Sequence, residues 1–190
     1  MLFLEELFII FDSIHRIMSV KVVHKPKKKR ISEKKVLQKL KSIQDKDRRL
    51  HVIKALSTVN RPWVGRVLSD CLDDPSEQIR DHLLVILGTW ENLNVDRLYP
   101  RLNSPPWYVK SIILKLFGIR KEQKSIPHIA KLLSDDNVDV RKTAAETLGI
   151  LGGKKSLALL AVLLKDKNQF VRSAAEKAIR KASEIKFTLE

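Results

Sequence analysis

DDNVDVRKTAAETLG, residues 135–149, sets Val140, Ala144 and Leu148 at helical spacing on one apolar stripe, with Arg141 immediately beside it. A fixed charge in that position needs a partner. The arrangement recurs along the chain. Arg49, Arg80, Lys110, Arg141 and Arg172 follow one another at intervals of 31, 30, 31 and 31 residues. The residues just before them are Arg48, Ile79, Val109, Val140 and Val171. Three positions after come Val52, Leu83, Ile113, Ala144 and Ala175, and seven after come Leu56, Leu87, Phe117, Leu148 and Ile179. Gly88, Gly118 and Gly149 repeat at eight after.

A second helical pattern lies upstream of each basic residue. Leu37, Leu68, Leu98, Ile129 and Leu160 are in register, followed four residues on by Lys41, Leu72, Leu102, Leu133 and Leu164. Asp74-Pro75, Ser104-Pro105-Pro106 and Asp135-Asp136-Asn137 stand between the two patterns, where caps and first-turn prolines belong. Each unit is therefore predicted to be a helix, a short turn and a second helix. The approximate units are 32–59, 60–91, 92–122, 123–153 and 154–185, with residues 186–190 as a C-terminal tail. Two short helices cannot bury an apolar face alone, so neighbouring units must stack. The expected architecture is all-α: a right-handed α-solenoid of about five hairpins with a curved inner surface.

Asp135, Val140, Arg141, Ala144, Ala145, Leu148 and Gly149 together resemble the HEAT repeat, in the short HEAT-like form of the phycobilisome lyases. The resemblance covers roughly residues 32–185 and is sharpest in the fourth and fifth units. It implies a ladder in which the carboxylate of each inter-helix turn accepts from guanidinium groups of its own or the adjacent unit. The ladder residues would be Asp74, Arg80, Asp135, Arg141, Asp166 and Arg172. Such paired charges are structural, since removing one strands the other. Ser104 and Lys110 depart from the pattern, so the ladder is expected to be weakest in the third unit.

The net charge of +15 is unevenly spread. Residues 21–49 hold thirteen Lys and Arg against three acids, and the rest of the body is only mildly basic. The opening MLFLEELFIIFDSIHRIM has an apolar side with Glu5, Glu6, Asp12 and Arg16 opposite. Residues 1–31 thus read as an N-terminal amphipathic helix and a basic arm, and neither a secretory signal nor a spanning helix fits. The helix suits capping of the first unit, a membrane interface, or translation that properly starts at Met18. The tract Lys27, Lys28, Lys29, Arg30 suits an anionic surface, which keeps peripheral membrane contact and nucleic-acid binding in view.

Cys71 is the sole cysteine, which excludes an internal disulfide and fits a reducing cytoplasm. Its register matches Leu40, Leu132 and Leu163, an apolar role and not a nucleophile's. His51 and His82 share register with Ile112, Thr143 and Ala174, and no carboxylate or third His accompanies them, so no metal site is expected. The chain lacks the His-Glu pairs through which the similar deoxyhypusine hydroxylases bind iron. Trp63, Trp90 and Trp107 supply the aromatic content that DNA glycosylases of HEAT-like architecture use, but their positions favour packing between repeats. Five positions after each ladder residue stand Lys54, Val85, Lys115, Glu146 and Lys177, facing away from the core.

The resulting expectation is a non-catalytic scaffolding module with no cofactor and no small-molecule substrate, holding a protein partner on its concave face. The alternatives are nucleic-acid binding through the basic arm and the inner lysines Lys54, Lys115 and Lys177, and a lesser one, a phycobilin-lyase-like accessory factor.

Overall fold

The computed structural model describes residues 32–103 and 106–187, with side chains described to residue 182. Among these residues every regular element is helical. Helix α1 spans Glu33–Ser42 and α2 Lys46–Ser57; α3 spans Pro62–Asp70 and α4 Glu77–Thr89. A 3-10 segment, Val95–Asn103, precedes α5, Trp107–Ile119. The short α6, Ile126–Lys131, runs into a 3-10 turn at Leu132–Ser134 before α7, Val138–Leu151. Helix α8, Gly153–Leu163, and α9, Gln169–Phe187, complete the order.

Local chemistry sets these boundaries. Asp45 caps α2 by accepting from the Arg48 N–H at 2.7 Å, and Asn137 caps α7 by accepting from the Asp139 and Val140 N–H groups at 2.9 and 3.2 Å. Pro62 opens α3, where its missing N–H costs nothing. Gly152 closes α7 with φ +64°, a left-handed turn that suits glycine. The helix expected around Leu98 and Leu102 is instead a 3-10 segment. Pro100 lies inside it, and a proline there removes one bond of an α-helical ladder and crowds the preceding turn. Both leucines are nevertheless buried.

The helices pack in chain order, with α1 beside α3 and α6 beside α8 in one layer, and α2, α4, α5, α7 and α9 side by side in the other. The repeating apolar positions make the shared interior. Leu56, Leu87, Phe117 and Leu148 are fully buried, as are Leu83, Ile113, Ala144 and Ala175. Each large aliphatic side chain so placed contributes about 1.5–3 kcal/mol over an exposed one. Close approach within the second layer depends on the glycine row: a Cβ on Gly149 would lie 2.7 Å from the Ala178 Cβ, and one on Gly88 2.8 Å from Ile119 Cγ2. The buried Thr147 hydroxyl donates to the Leu114 carbonyl at 3.1 Å, tying α7 to α5.

The pair α8 and α9 is the last among the described residues. Leu72, Leu102 and Leu133 are at most 8% exposed, whereas Leu164, at the same position, is 38% exposed because no further pair covers it among the described residues. On α9, Glu176 and Arg180 stand where Ala145 and Gly149 stand on α7, and they are exposed and paired one turn apart. Charged side chains in place of a glycine and an alanine keep that outer face wet, as a terminal repeat requires.

Candidate binding face

Arg141 and Arg49 are each held by their own turn and reach into the next. Arg141 donates through Nη1 to the Asp135 and Asp136 carbonyls at 2.7 and 3.1 Å. Its Nε and Nη2 donate to the Asp166 carboxylate at 2.8 and 3.1 Å, a bidentate pair with side chains only 3% and 7% exposed. Arg49 does the same, bonding the Ile43 and Gln44 carbonyls and giving Nε and Nη2 to Asp74 at 2.9 and 3.1 Å. Lys110, with one ammonium instead of a fork, reaches Asp135 at 2.7 Å. Each acceptor aspartate also takes a backbone N–H two residues on, from Ser76, Asn137 or Asn168. Hydrogen bonding from Arg141 holds the Asp166 carboxyl below the ordinary carboxylate range and raises the Arg141 pKa in turn.

Within a pair, Arg80 and Arg172 bond the main-chain carbonyl of Asp74 or Asp166, not the carboxylate. The carboxylates belong to the basic residue 25 positions earlier; Lys110 keeps one, and the sequence offers Ser104, six residues before Lys110, in place of an aspartate for Arg80. Among the described residues Arg80 meets no carboxylate; its guanidinium lies over the Tyr108 ring, 4.3 Å from the centroid. Other arginines bridge that step. Arg120 donates through Nη1 to the Leu87, Gly88 and Trp90 carbonyls at the end of α4, at 2.9, 3.2 and 2.9 Å. Arg101 bonds the Ser69 carbonyl near the end of α3. A cation at a helix C-terminus meets both unpaired carbonyls and the negative end of the dipole. Sequence reasoning missed Arg101 and Arg120, which occur once each and follow no period; it also left Arg49 and Lys110 out of the ladder, although each stands 25 residues before an aspartate, as Arg141 does.

The frame leaves one face of the second layer open. Lys54, Val85, Lys115, Glu146 and Lys177 are all exposed there. Four positions further along the helices, Ile119 and Ile150 are also exposed, at 51% and 42%, and Val85 is 68% exposed. The two isoleucines rest against Gly88 and Gly118, whose lack of a side chain seats them at the surface. Lys142 and Lys181 lie on the same face by helical register and are exposed. Lys54 and burial together lower the His82 pKa, with burial the larger cause. Lys27, Lys28, Lys29 and Arg30 lie outside the described residues, as does the amphipathic segment before them.

Cys71 is buried, and burial pushes its thiol up to about 12, which leaves no thiolate for chemistry at neutral pH. Trp90 is buried and Trp63 packs on the core. Trp107 departs from the expected packing role: it is 45% exposed, with its ring edge-on to Tyr108 at 6.1 Å. It opens α5, and the ring packed beneath Arg80 is that of the next residue, Tyr108. No helix among the described residues is long and apolar enough to cross a membrane.

No curated protein matches the sequence significantly. The fold is similar to that in the structure of the complex of CpcE and CpcF of phycocyanin lyase from Nostoc sp. PCC7120, with a TM-score of 0.56 and 20% identity over 87% of this chain and 70% of that one. A crystal structure of an engineered protein is similar over 78% of each chain, with 16% identity and a TM-score of 0.47. Residues 95–180 match the family model of HEAT repeats. With helix pairs stacked in a row and Arg141 joined to the turn of the following pair, the all-helical fold carries HEAT repeats over residues 95–180.

Proposed function

We propose that the protein is a non-catalytic scaffold that holds a protein partner on the exposed face of its second helices, the inner surface of the solenoid. The observation that carries this reading is the row Val85, Ile119 and Ile150, exposed on three successive second helices and accompanied by Lys54, Lys115 and Lys177. Buried charges elsewhere have structural partners, and the sole cysteine is protonated, so the chemistry left at the surface is that of recognition. The similar fold from phycocyanin lyase was determined in a complex of two proteins, which is the use assigned to this chain.

The test is affinity capture from the native cell with the full chain and with a full-length variant carrying Ile119→Asp and Lys115→Glu. A protein retained by the first and lost by the second, with helix content unchanged, supports the reading. Bound material that nuclease removes, and that falls away steeply as salt rises, would assign the face to nucleic acid instead. Capture that survives the double substitution places recognition elsewhere, with residues 1–31 the next segment to delete.

A further inference from the structure

We propose that the partner element is an acidic amphipathic α-helix whose apolar side chains recur every seven residues; this deepens, and rests on, the binding face just assigned. Helices packed side by side lie about 8–10 Å apart. Ile119 and Ile150 occupy the same position on the adjacent helices α5 and α7, so their side chains repeat at about that spacing. Val85, on α4, continues the row one turn earlier. A ligand helix rises about 1.5 Å per residue and returns to the same face after seven residues, a step of about 10.5 Å. An extended strand rises about 3.3 Å per residue and covers the same step in three, which turns the third side chain to the opposite face. The row therefore fits a helix crossing α4, α5 and α7, and not a strand.

Charge selects the flanks of that helix. Among the described residues at these register positions, Lys54, Lys115, Lys142, Lys177 and Lys181 share the face with two acids, Asp81 and Glu146. Beyond Ile150 the row ends in Lys181, which takes the isoleucine position on α9, with Lys177 one turn before it. The last pair thus offers ammonium groups where the middle pairs offer apolar anchors. A helix seated on the isoleucines brings its flanking side chains over these lysines, and Glu or Asp there gives the complementary potential that sets register and partner choice.

The experiment is fluorescence anisotropy with the full-length protein and three labelled synthetic helices of roughly 20 residues. The first carries Leu at seven-residue spacing with Glu flanks; the second has the same composition with the Leu redistributed at five-residue spacing; the third replaces each Glu of the first by Lys. The first should bind at least about tenfold tighter than either other, and Ile119→Asp or Ile150→Asp should weaken it by about tenfold or more. Lys177→Glu with Lys181→Glu should weaken it about three- to tenfold and reduce its salt dependence. Equal binding of the redistributed peptide, preference for the lysine peptide, or no binding of the first overturns the proposal. So does a dimer in sedimentation that Ile119→Asp dissociates, which would make a second copy the occupant. A full-length Phe11→Asp variant that binds the first peptide about tenfold tighter would give the face to the chain's own residues 1–18 and would overturn it equally. Failure with the peptides while Ile119→Asp still abolishes cellular capture sinks this chemistry and leaves the binding face standing; failure of both sinks both.

Discussion

Replacing Arg141 by Met should be among the costliest single changes in this chain, because it removes a charge and keeps most of the side-chain volume. Arg141 and Asp166 are 3% and 7% exposed, so water cannot take over the bonds at 2.8 and 3.1 Å that the guanidinium gives the carboxylate. Asp166 keeps the Asn168 N–H at 2.8 Å, and the Asp135 and Asp136 carbonyls lose their common donor. Stranding one partner of a buried pair costs about 3–5 kcal/mol. Arg80→Met removes the matching bonds to the Asp74 and Pro75 carbonyls and the stacking on Tyr108, but strands no carboxylate among the described residues. Those carbonyls sit nearer solvent, and the expected cost is about 1–2 kcal/mol. For a chain of this size the two changes should lower Tm by about 6–20 °C and 2–8 °C.

Thermal and urea melts followed by far-UV circular dichroism read the difference. Adding Asp166→Asn to Arg141→Met should restore about 1–3 kcal/mol, since a neutral amide needs no counter-charge. Equal losses for Arg141→Met and Arg80→Met, or a double variant whose loss is the sum of its parts, would refute the view that the buried charge pair joins successive helix pairs.

The same carboxylate makes stability depend on pH: Asp166 titrates below its ordinary 3.8, so its contribution is complete above that value and is lost as pH falls through the lower folded value. Acid melts of Arg141→Met should lack that part of the dependence, and a variant with an unchanged acid profile would contradict the assignment. Gly149→Ala should destabilise by about 1–3 kcal/mol because its Cβ would meet Ala178 Cβ at 2.7 Å and Cα at 3.0 Å. Gly118→Ala, whose nearest neighbour is the end of Ile150 at 3.3 Å, should come within about 1 kcal/mol of neutral in the same urea melts, since helix propensity offsets the crowding. Arg120→Gln should cost about 1–3 kcal/mol by uncovering the α4 carbonyls, and hydrogen exchange should rise at the C-terminus of α4 before other helices. Cys71 should resist a disulfide thiol reagent at pH 8 until the chain is unfolded; prompt labelling of the native protein would contradict its burial.

The apolar rows were legible because a helical period read five times in register averages out single exceptions such as Arg48. The partner of each charge was not. An aspartate six residues before an arginine looks like its mate, and both do meet, but through the aspartate's main-chain carbonyl. The guanidinium is a planar fork: when Nη1 turns back onto its own turn, Nε and Nη2 are left pointing onward, toward the turn 25 residues later. Only a choice of rotamer, which periodicity does not encode, decides between the two. Arg101 and Arg120 were invisible for a different reason. The end of any helix attracts a nearby cation, so no repeated motif is needed to place one there. Trp107 shows the converse, an aromatic whose position after a proline suggests burial although it is 45% exposed.

What the repeat does settle is which positions remain free. Taking each ladder residue as origin, the interior uses the positions at −1, +3 and +7, and the charge pairs use the origin itself. Close contact between second helices uses +8, where a side chain on Gly149 would strike Ala178. On these helices the exposed stripe is then +5 and +9, joined at +1 by Asp81 and Lys142, and it carries the lysines together with Val85, Ile119 and Ile150. The isoleucines at +9 sit beside the glycines at +8 because the same close approach that excludes a Cβ from Gly88, and leaves little room for one on Gly118, brings the next helix's side chain to the surface there. Frame and face are thus adjacent consequences of one packing contact: widening it at glycine should shift the isoleucines and so alter binding, while substituting an isoleucine should alter binding and leave the frame intact.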